Sequence, residues 1–101
     1  MSSGFSGLQP WLAPWASRLL EQVPGLLIVS TYRSYTDQLR LWRQRARNPY
    51  PVAPPGRSMH QYGRAFDLGG RDALLHRAGQ IWEKWGGRWG GRIGDPVHFE
   101  A

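Results

Sequence analysis

The run Ser58-Met59-His60-Gln61-Tyr62-Gly63-Arg64-Ala65-Phe66-Asp67-Leu68 constrains this chain more than any other stretch. From Arg64 the residues alternate: Ala65 and Asp67 share one face, and Arg64, Phe66 and Leu68 share the other. That is the period of a strand. Gly63 lets the chain bend just before it. His60 can therefore fold back from a loop towards the face that carries Asp67. An imidazole and a carboxylate held together supply two of the three protein ligands of a catalytic zinc site. The remaining sequence has to be searched for a third ligand, a base and a partner for an oxyanion.

Leu26-Leu27-Ile28-Val29-Ser30-Thr31 is a short, partly β-branched apolar run and reads as a buried strand. Before it, Trp11, Leu12, Trp15, Leu19, Leu20 and Val23 recur at spacings of three and four, the stripe of an amphipathic helix. Pro10 and Pro14 move its regular start to about Pro14, and Pro24-Gly25 ends it. Residues 1–8 are expected to be loosely docked or flexible. Ser34 or Thr36 can cap a second helix running to about Arg47, with Leu39, Trp42 and Ala46 as its stripe. The proline-rich stretch from Asn48 to Arg57 reads as an extended loop beside His60 and a wall of a cleft. Asp72 is placed to cap a third helix over about Ala73–Trp85, with Leu74, Leu75, Ala78, Ile81, Trp82 and Trp85 inward. Between Gly86 and Gly94 stand five glycines, a tight turn with its backbone pressed against something. At the end, Val97 and Phe99 point one way, and His98 and Glu100 the other. A second histidine thus lies on the polar face of a second strand.

With 101 residues the chain is expected to form a single domain, 1–101, and 41% hydrophobic content with six Trp supports a packed core. It contains no Cys, so any metal must be held by His and carboxylate. The formal net charge of +6 implies an anionic partner, which nucleic acid, an acidic membrane surface and an anionic cell wall would each satisfy. The first residues lack a basic region followed by a long apolar run, and no stretch is long enough to span a membrane, so neither a secretory signal nor membrane insertion is expected.

His60, Asp67 and His98 can form a His-Asp-His set, with Asp95 three residues before the last ligand. Three protein ligands leave zinc one open position. A nearby acid such as Asp95 can serve as the general base. Ser58, His60, Gly63, Ala65 and Asp67 match Ser-x-His-x-x-Gly-x-Ala-x-Asp, Asp95 and His98 match acid-x-x-His, and Tyr32, Arg33, Ser34 and Gln38 match an upstream Tyr-Arg-Ser with a following Gln. In these motifs the chain resembles the zinc peptidases of the D-alanyl-D-alanine carboxypeptidase and L-alanyl-D-glutamate endopeptidase family, which includes many bacteriophage endolysins. The match runs from about Thr31 to Glu100. Most carboxypeptidase members carry Glu where Asp95 stands, and an Asp there looks more like the phage endopeptidase branch.

The resemblance implies an α+β fold: a small, mainly antiparallel sheet, helices packed on one side, and one zinc on the open face. It implies His60, Asp67 and His98 as metal ligands and Asp95 as the base. Arg33 matches the position that holds the oxyanion, and a guanidinium there can also clamp a peptide carboxylate or carbonyl. Ser58 and Gln38 would join Arg33 in binding substrate. Trp89 is a further candidate, because a glycine-rich loop can present it to a ligand. Glu100 reads as a partner to a ligand histidine and as a rival base; His76 reads as a surface residue. The expected partner is the peptide stem of bacterial peptidoglycan in an anionic wall. The expected setting is a host cytoplasm, with access to the wall after holin release or as part of a phage virion. Two other readings stand beside it: a basic nucleic-acid-binding module, which lacks any recognition motif, and an inactive metal-bound domain such as the hedgehog signalling domain of the same architecture.

Overall fold

The computed structural model describes residues 5–101. Its helices are α1 (Ala13–Gln22), α2 (Tyr35–Arg43) and α3 (Asp72–Lys84), and its strands are β1 (Leu27–Ser30), β2 (Ala65–Gly69), β3 (Arg88–Trp89) and β4 (His98–Glu100). The strands form one antiparallel sheet in the order β1-β2-β4-β3. The fold is therefore α+β with a small antiparallel sheet, as expected.

Alternation along β2 and β4 separates two faces. Phe66, Leu68 and Phe99 are fully buried against Leu12, Ala16 and Leu19 of the first helical segment and Leu75, Ala78 and Trp82 of α3. The Phe66 ring stacks on Phe99 and meets Trp82 edge-on. Asp67 and His98 face the other way, directly paired across β2 and β4. The hydrophobic layer thus holds the sheet from behind while its polar face stays open for chemistry.

Several expectations need correction. Residues 5–8 are docked rather than loose: Phe5 is 2% exposed and its ring meets Phe66 edge-on, while Leu8 is buried. The following residue is tied down as well, since Gln9 N donates to Gly63 O at 2.9 Å and Gln9 Nε2 to Tyr62 O at 2.8 Å. Residues 1–4, the rest of that expected loose stretch, lie outside the described residues. β1 is not a buried strand. It is an edge strand, and Leu27 and Val29 are 72% and 66% exposed.

α2 ends at Arg43, and a separate 3-10 turn covers Arg45–Arg47. Its cap is Ser34, whose Oγ accepts from Asp37 N. Its buried residue is Gln38, whereas Leu39 and Trp42 are half-buried and Ala46 is exposed, so no apolar stripe docks it. Asp72 is the first residue of α3 and not its cap; Arg71 holds that position without a side-chain bond.

Candidate metal centre and its cleft

Asp67 is held from three sides. His98 faces it across β4, and Ser30 stands opposite it on β1, brought there by an irregularity after Ile28. Ser30 Oγ donates to Asp67 Oδ2 at 2.8 Å. His60 arrives from a 3-10 turn, Met59–Tyr62, that begins where Ser58 Oγ accepts from His60 N and ends on Gly63 at φ 67°. That left-handed conformation suits glycine, and it turns the chain directly into β2. His60 itself is 3% exposed.

Hydrogen bonding assigns the imidazole protons. His60 Nδ1 lies 2.6 Å from the carbonyl oxygen of Thr31, which can only accept. The proton is therefore on Nδ1, and the lone pair of Nε2 faces Asp67 Oδ1 at 3.2 Å. His98 Nε2 lies 2.7 Å from Glu100 Oε1, so it donates there, and Nδ1 faces the same Asp67 oxygen at 3.4 Å. One ligand atom from each of His60, Asp67 and His98 thus lies within 4.8 Å of the others. Three electron-rich atoms converging on one point repel unless a cation sits among them. A proton satisfies one pair at a time; a metal satisfies all three. Two imidazole nitrogens and one carboxylate oxygen suit zinc, with a fourth position left open. The orienting bonds from Thr31 and Glu100 are of the kind that fix ligand histidines.

Without a metal, protons answer the same convergence. When both histidines are protonated, burial still pushes the Asp67 carboxyl up, but hydrogen bonds from the two imidazolium rings and from Ser30 and the charge of His60 hold it well below its ordinary value. Burial pulls His98 down, yet Asp67 and Glu100 together push it up to about 9. The hydrogen bond to His98, helped by Arg88, holds Glu100 down to about 2.

Asp95 stands just before β4. Its amide donates to Gly90 O at 2.8 Å, and its carbonyl accepts from His98 N at 3.1 Å. The acid-x-x-His spacing is therefore a turn rather than an extended strand entry, and it sets the acid and the histidine side by side. A Cβ on Gly90 would come 2.4 Å from Asp95 O and 3.0 Å from His98 Cβ, so the glycine-rich run presses its backbone against this turn. Asp95 Oδ1 is buried without a hydrogen-bond partner. Burial raises its pKa, tempered by the charges of His98, His60 and Arg33.

Arg33 completes the group. Its Nη1 donates to Gln38 Oε1 at 2.8 Å, and its Nη2 lies 3.4 Å from Ser30 Oγ and 3.6 Å from Asp67 Oδ2. Its amide donates to His60 O at 3.0 Å. Gln38 also donates through Nε2 to Ala53 O at 2.7 Å. Both ends of its amide are thus bonded within the protein, so Gln38, which also lines the cleft, holds Arg33 and the 48–57 loop in place.

His60, Asp67, His98, Asp95, Arg33 and Ser58 line one cleft of about 430 Å³. Tyr50, Val52 and Arg57 form one wall, and Ile93 and Val97 part of the other. Trp89 is absent from it. Its Nε1 donates to Pro96 O at 2.8 Å, and its indole covers Gly79 and Gly91, so it braces the Asp95 turn from behind. His76 is exposed beside that indole. Sequence reasoning missed Ser30, the Thr31 carbonyl and Gly90. The glycine run was the available signal for the last; nothing local marks the other two.

A family model described as VanY, D-alanyl-D-alanine carboxypeptidase, matches residues 16–99. No curated protein matches the chain. Among solved structures, the vancomycin resistance D,D-dipeptidase VanXYg in complex with a D-Ala-D-Ala phosphinate analogue is similar at TM-score 0.73 and 20% identity, over 92% of this chain and 49% of that one. A variant of the D,D-pentapeptidase VanY from the VanB-type resistance cassette, in complex with Zn(II), is similar at TM-score 0.70 and 17% identity, over 92% and 71%. DacB from Streptococcus pneumoniae D39 is similar at TM-score 0.64 and 25% identity, over 99% and 70%. The chain thus spans about half the length of the first of these and 70% or so of the others.

Proposed function

The chain belongs to the VanY D-alanyl-D-alanine carboxypeptidase family, and on that premise we propose that it is a zinc-dependent peptidase that hydrolyses an amide bond in the peptide stem of bacterial peptidoglycan. The observation that carries this reading is the convergence of His60 Nε2 and His98 Nδ1 on Asp67 Oδ1, with both other ring nitrogens committed elsewhere. Neither a nucleic-acid module nor a purely structural pair needs such an arrangement. Relatives of the same fold include a Zn(II) complex and complexes with D-alanyl-D-alanine or its phosphinate analogue.

His60, Asp67 and His98 would hold the zinc, which supplies a Lewis acid for the scissile carbonyl and acidifies water. Asp95 takes the proton of the attacking water on its carboxylate. Its raised pKa makes it the stronger base, and its unpaired Oδ1 is free to accept. Water oxygen joins the carbonyl carbon, the carbon–nitrogen bond breaks, and the same proton passes from Asp95 to the leaving amine. Arg33, held by Gln38 and Ser30, offers its guanidinium to the negative charge that builds on the carbonyl oxygen. Ser58 supports this from below by starting the turn that carries His60. Glu100, bonded to His98, serves as its orienting partner rather than as the base.

The bond cut is either the D-Ala–D-Ala bond or the L-Ala–D-Glu bond, and Asp rather than Glu at position 95 favours the latter. A phage endolysin or virion-associated lysin is the biological role this reading points to, reaching the wall after holin release or on the virion. The +6 charge would draw it to an anionic wall. No helix among the described residues is long and apolar enough to cross a membrane.

The test is turnover of purified peptidoglycan and of synthetic stem peptides, with products identified by mass spectrometry. Zinc-loaded wild type should release one defined fragment. Asp95→Asn should fold and keep its zinc while turnover drops about 10²–10⁴-fold. A wild-type rate in Asp95→Asn, with Glu100→Gln dead, would move the base to Glu100.

A further inference from the structure

The cleft wall formed by residues 48–59 carries a cation that the proposed chemistry does not use. Arg57 is exposed, lines the cleft, and makes no side-chain hydrogen bond or ion pair among the described residues. The other cleft-lining guanidinium, Arg33, is already engaged with Gln38, Ser30 and Asp67.

The backbone beneath Arg57 is braced. Arg57 N donates to Pro54 O at 3.1 Å, closing a turn over Pro55-Gly56. Gly56 N donates to Gln61 Oε1, and Gly56 O accepts from the Tyr62 hydroxyl. Gln61 and Tyr62 belong to the same 3-10 turn as His60. Gly56 itself sits at φ 90°, where an L side chain is strained. Four bonded or conformationally special residues thus hold the root of one long side chain in register with a metal ligand, while its guanidinium has no protein partner among the described residues. A floppy surface arginine needs none of this. A guanidinium on a fixed root is suited to bind a planar anion in two-pronged fashion.

Three carboxylates, Asp67, Asp95 and Glu100, line the rest of the cleft. They would repel an anionic substrate group, and with Arg33 engaged beside Asp67 the guanidinium left to receive one is that of Arg57.

We propose that Arg57 receives a free carboxylate of the substrate peptide and so sets where the peptide lies relative to the metal centre. This rests on the peptidase reading and deepens it. The carboxylate has two possible sources. It is either the peptide's C-terminal carboxylate or a carboxylate within the stem, and the chemistry of recognition is the same.

The experiment compares zinc-loaded wild type, Arg57→Ala and Arg57→Lys on three stem peptides: one with all carboxylates free, one with its C-terminus amidated, and one with its internal carboxylate amidated. For the all-free peptide, Arg57→Ala should raise KM about 10- to 100-fold, the scale of a lost hydrogen bond to a charged group. Its kcat should stay within about two-fold, because the contact is equal in ground and transition states. Arg57→Lys should recover part of the KM but not all. Amidating the recognised carboxylate should cost wild type the same factor and leave Arg57→Ala no further loss. Which amide does so identifies the source. An equal KM effect of Arg57→Ala on all three peptides, or no effect, overturns the proposal.

Binding of the same peptides to the zinc-loaded Asp95→Asn variant, followed by calorimetry, separates this from the failure of the peptidase reading. If wild type cleaves none of the peptides but a carboxylate-dependent affinity vanishes in Arg57→Ala, the Arg57 assignment stands and the peptidase reading falls. No difference in affinity between Arg57 and Ala at this position overturns the assignment.

Discussion

At the scale of single residues, His98 shows how the fold prepares a metal ligand before any metal arrives. In the metal-free protein its pKa is pushed up to about 9 by Asp67 and Glu100, against the opposing effect of burial. The folded value lies above the ordinary 6.5, so the proton on His98 stabilises the metal-free fold fully below pH 6.5, and that contribution is lost as pH rises through about 9. Zinc needs the same nitrogen without its proton, so metal and proton compete. Zinc affinity should therefore climb with pH between about 6.5 and 9 and level off above that. Glu100→Gln keeps the shape but removes the charge. It should weaken zinc about 10-fold or more and shift the levelling-off to lower pH. Equilibrium dialysis across that pH range checks both, and an identical profile in wild type and variant would mean that Glu100 does not tune the ligand. The nearness of His60, Asp67 and His98 was legible in the sequence, because alternation tells which side of a strand a residue takes. The roles of Gln38 and Ser30 were not. A glutamine or serine carries no sign of what its polar atoms will meet, and their partners come from other elements.

Among elements, periodicity reported the helices and strands but not their neighbours. β1 reads as a buried run, yet it lies at the sheet edge with Leu27 and Val29 exposed, because strand order is set by tertiary pairing that no local pattern encodes. Trp89 looked free to meet substrate for a related reason: its docking site is Gly79, on a different element, α3. Gly79→Ala distinguishes local preference from packing. Helix propensity alone would stabilise α3 by about 1 kcal/mol. The new Cβ, however, would stand 2.2 to 2.6 Å from the body of the Trp89 indole. The indole cannot simply swing aside, since its Nε1 is bonded to Pro96 O and its far edge lies over Gly91. Overpacking of this kind costs about 1–3 kcal/mol, so the variant should be less stable on balance. A lower denaturant midpoint is expected; a higher one would show that the Trp89 clamp yields.

For the molecule as a whole, the architecture divides labour between two faces of one small sheet. Behind it, Phe66, Leu68 and Phe99 are sealed by α3 and the first helical segment. In front, side chains from β2, β4, the His60 turn, the Asp95 turn and Arg33 meet at one point although they are spread over more than half of the chain. Such a site is a property of the folded whole, and so is its cost: an electron-rich cluster built into a fold this small calls for a cation to complete it. The direct test is zinc stoichiometry by elemental analysis, on wild type and on folded His60→Ala and His98→Ala variants, with thermal melting in parallel. One zinc per chain in wild type, a melting temperature that rises with zinc, and loss of both in each variant are the expected results. Full zinc occupancy in the two variants, or none in wild type at any pH up to 9, would contradict the account.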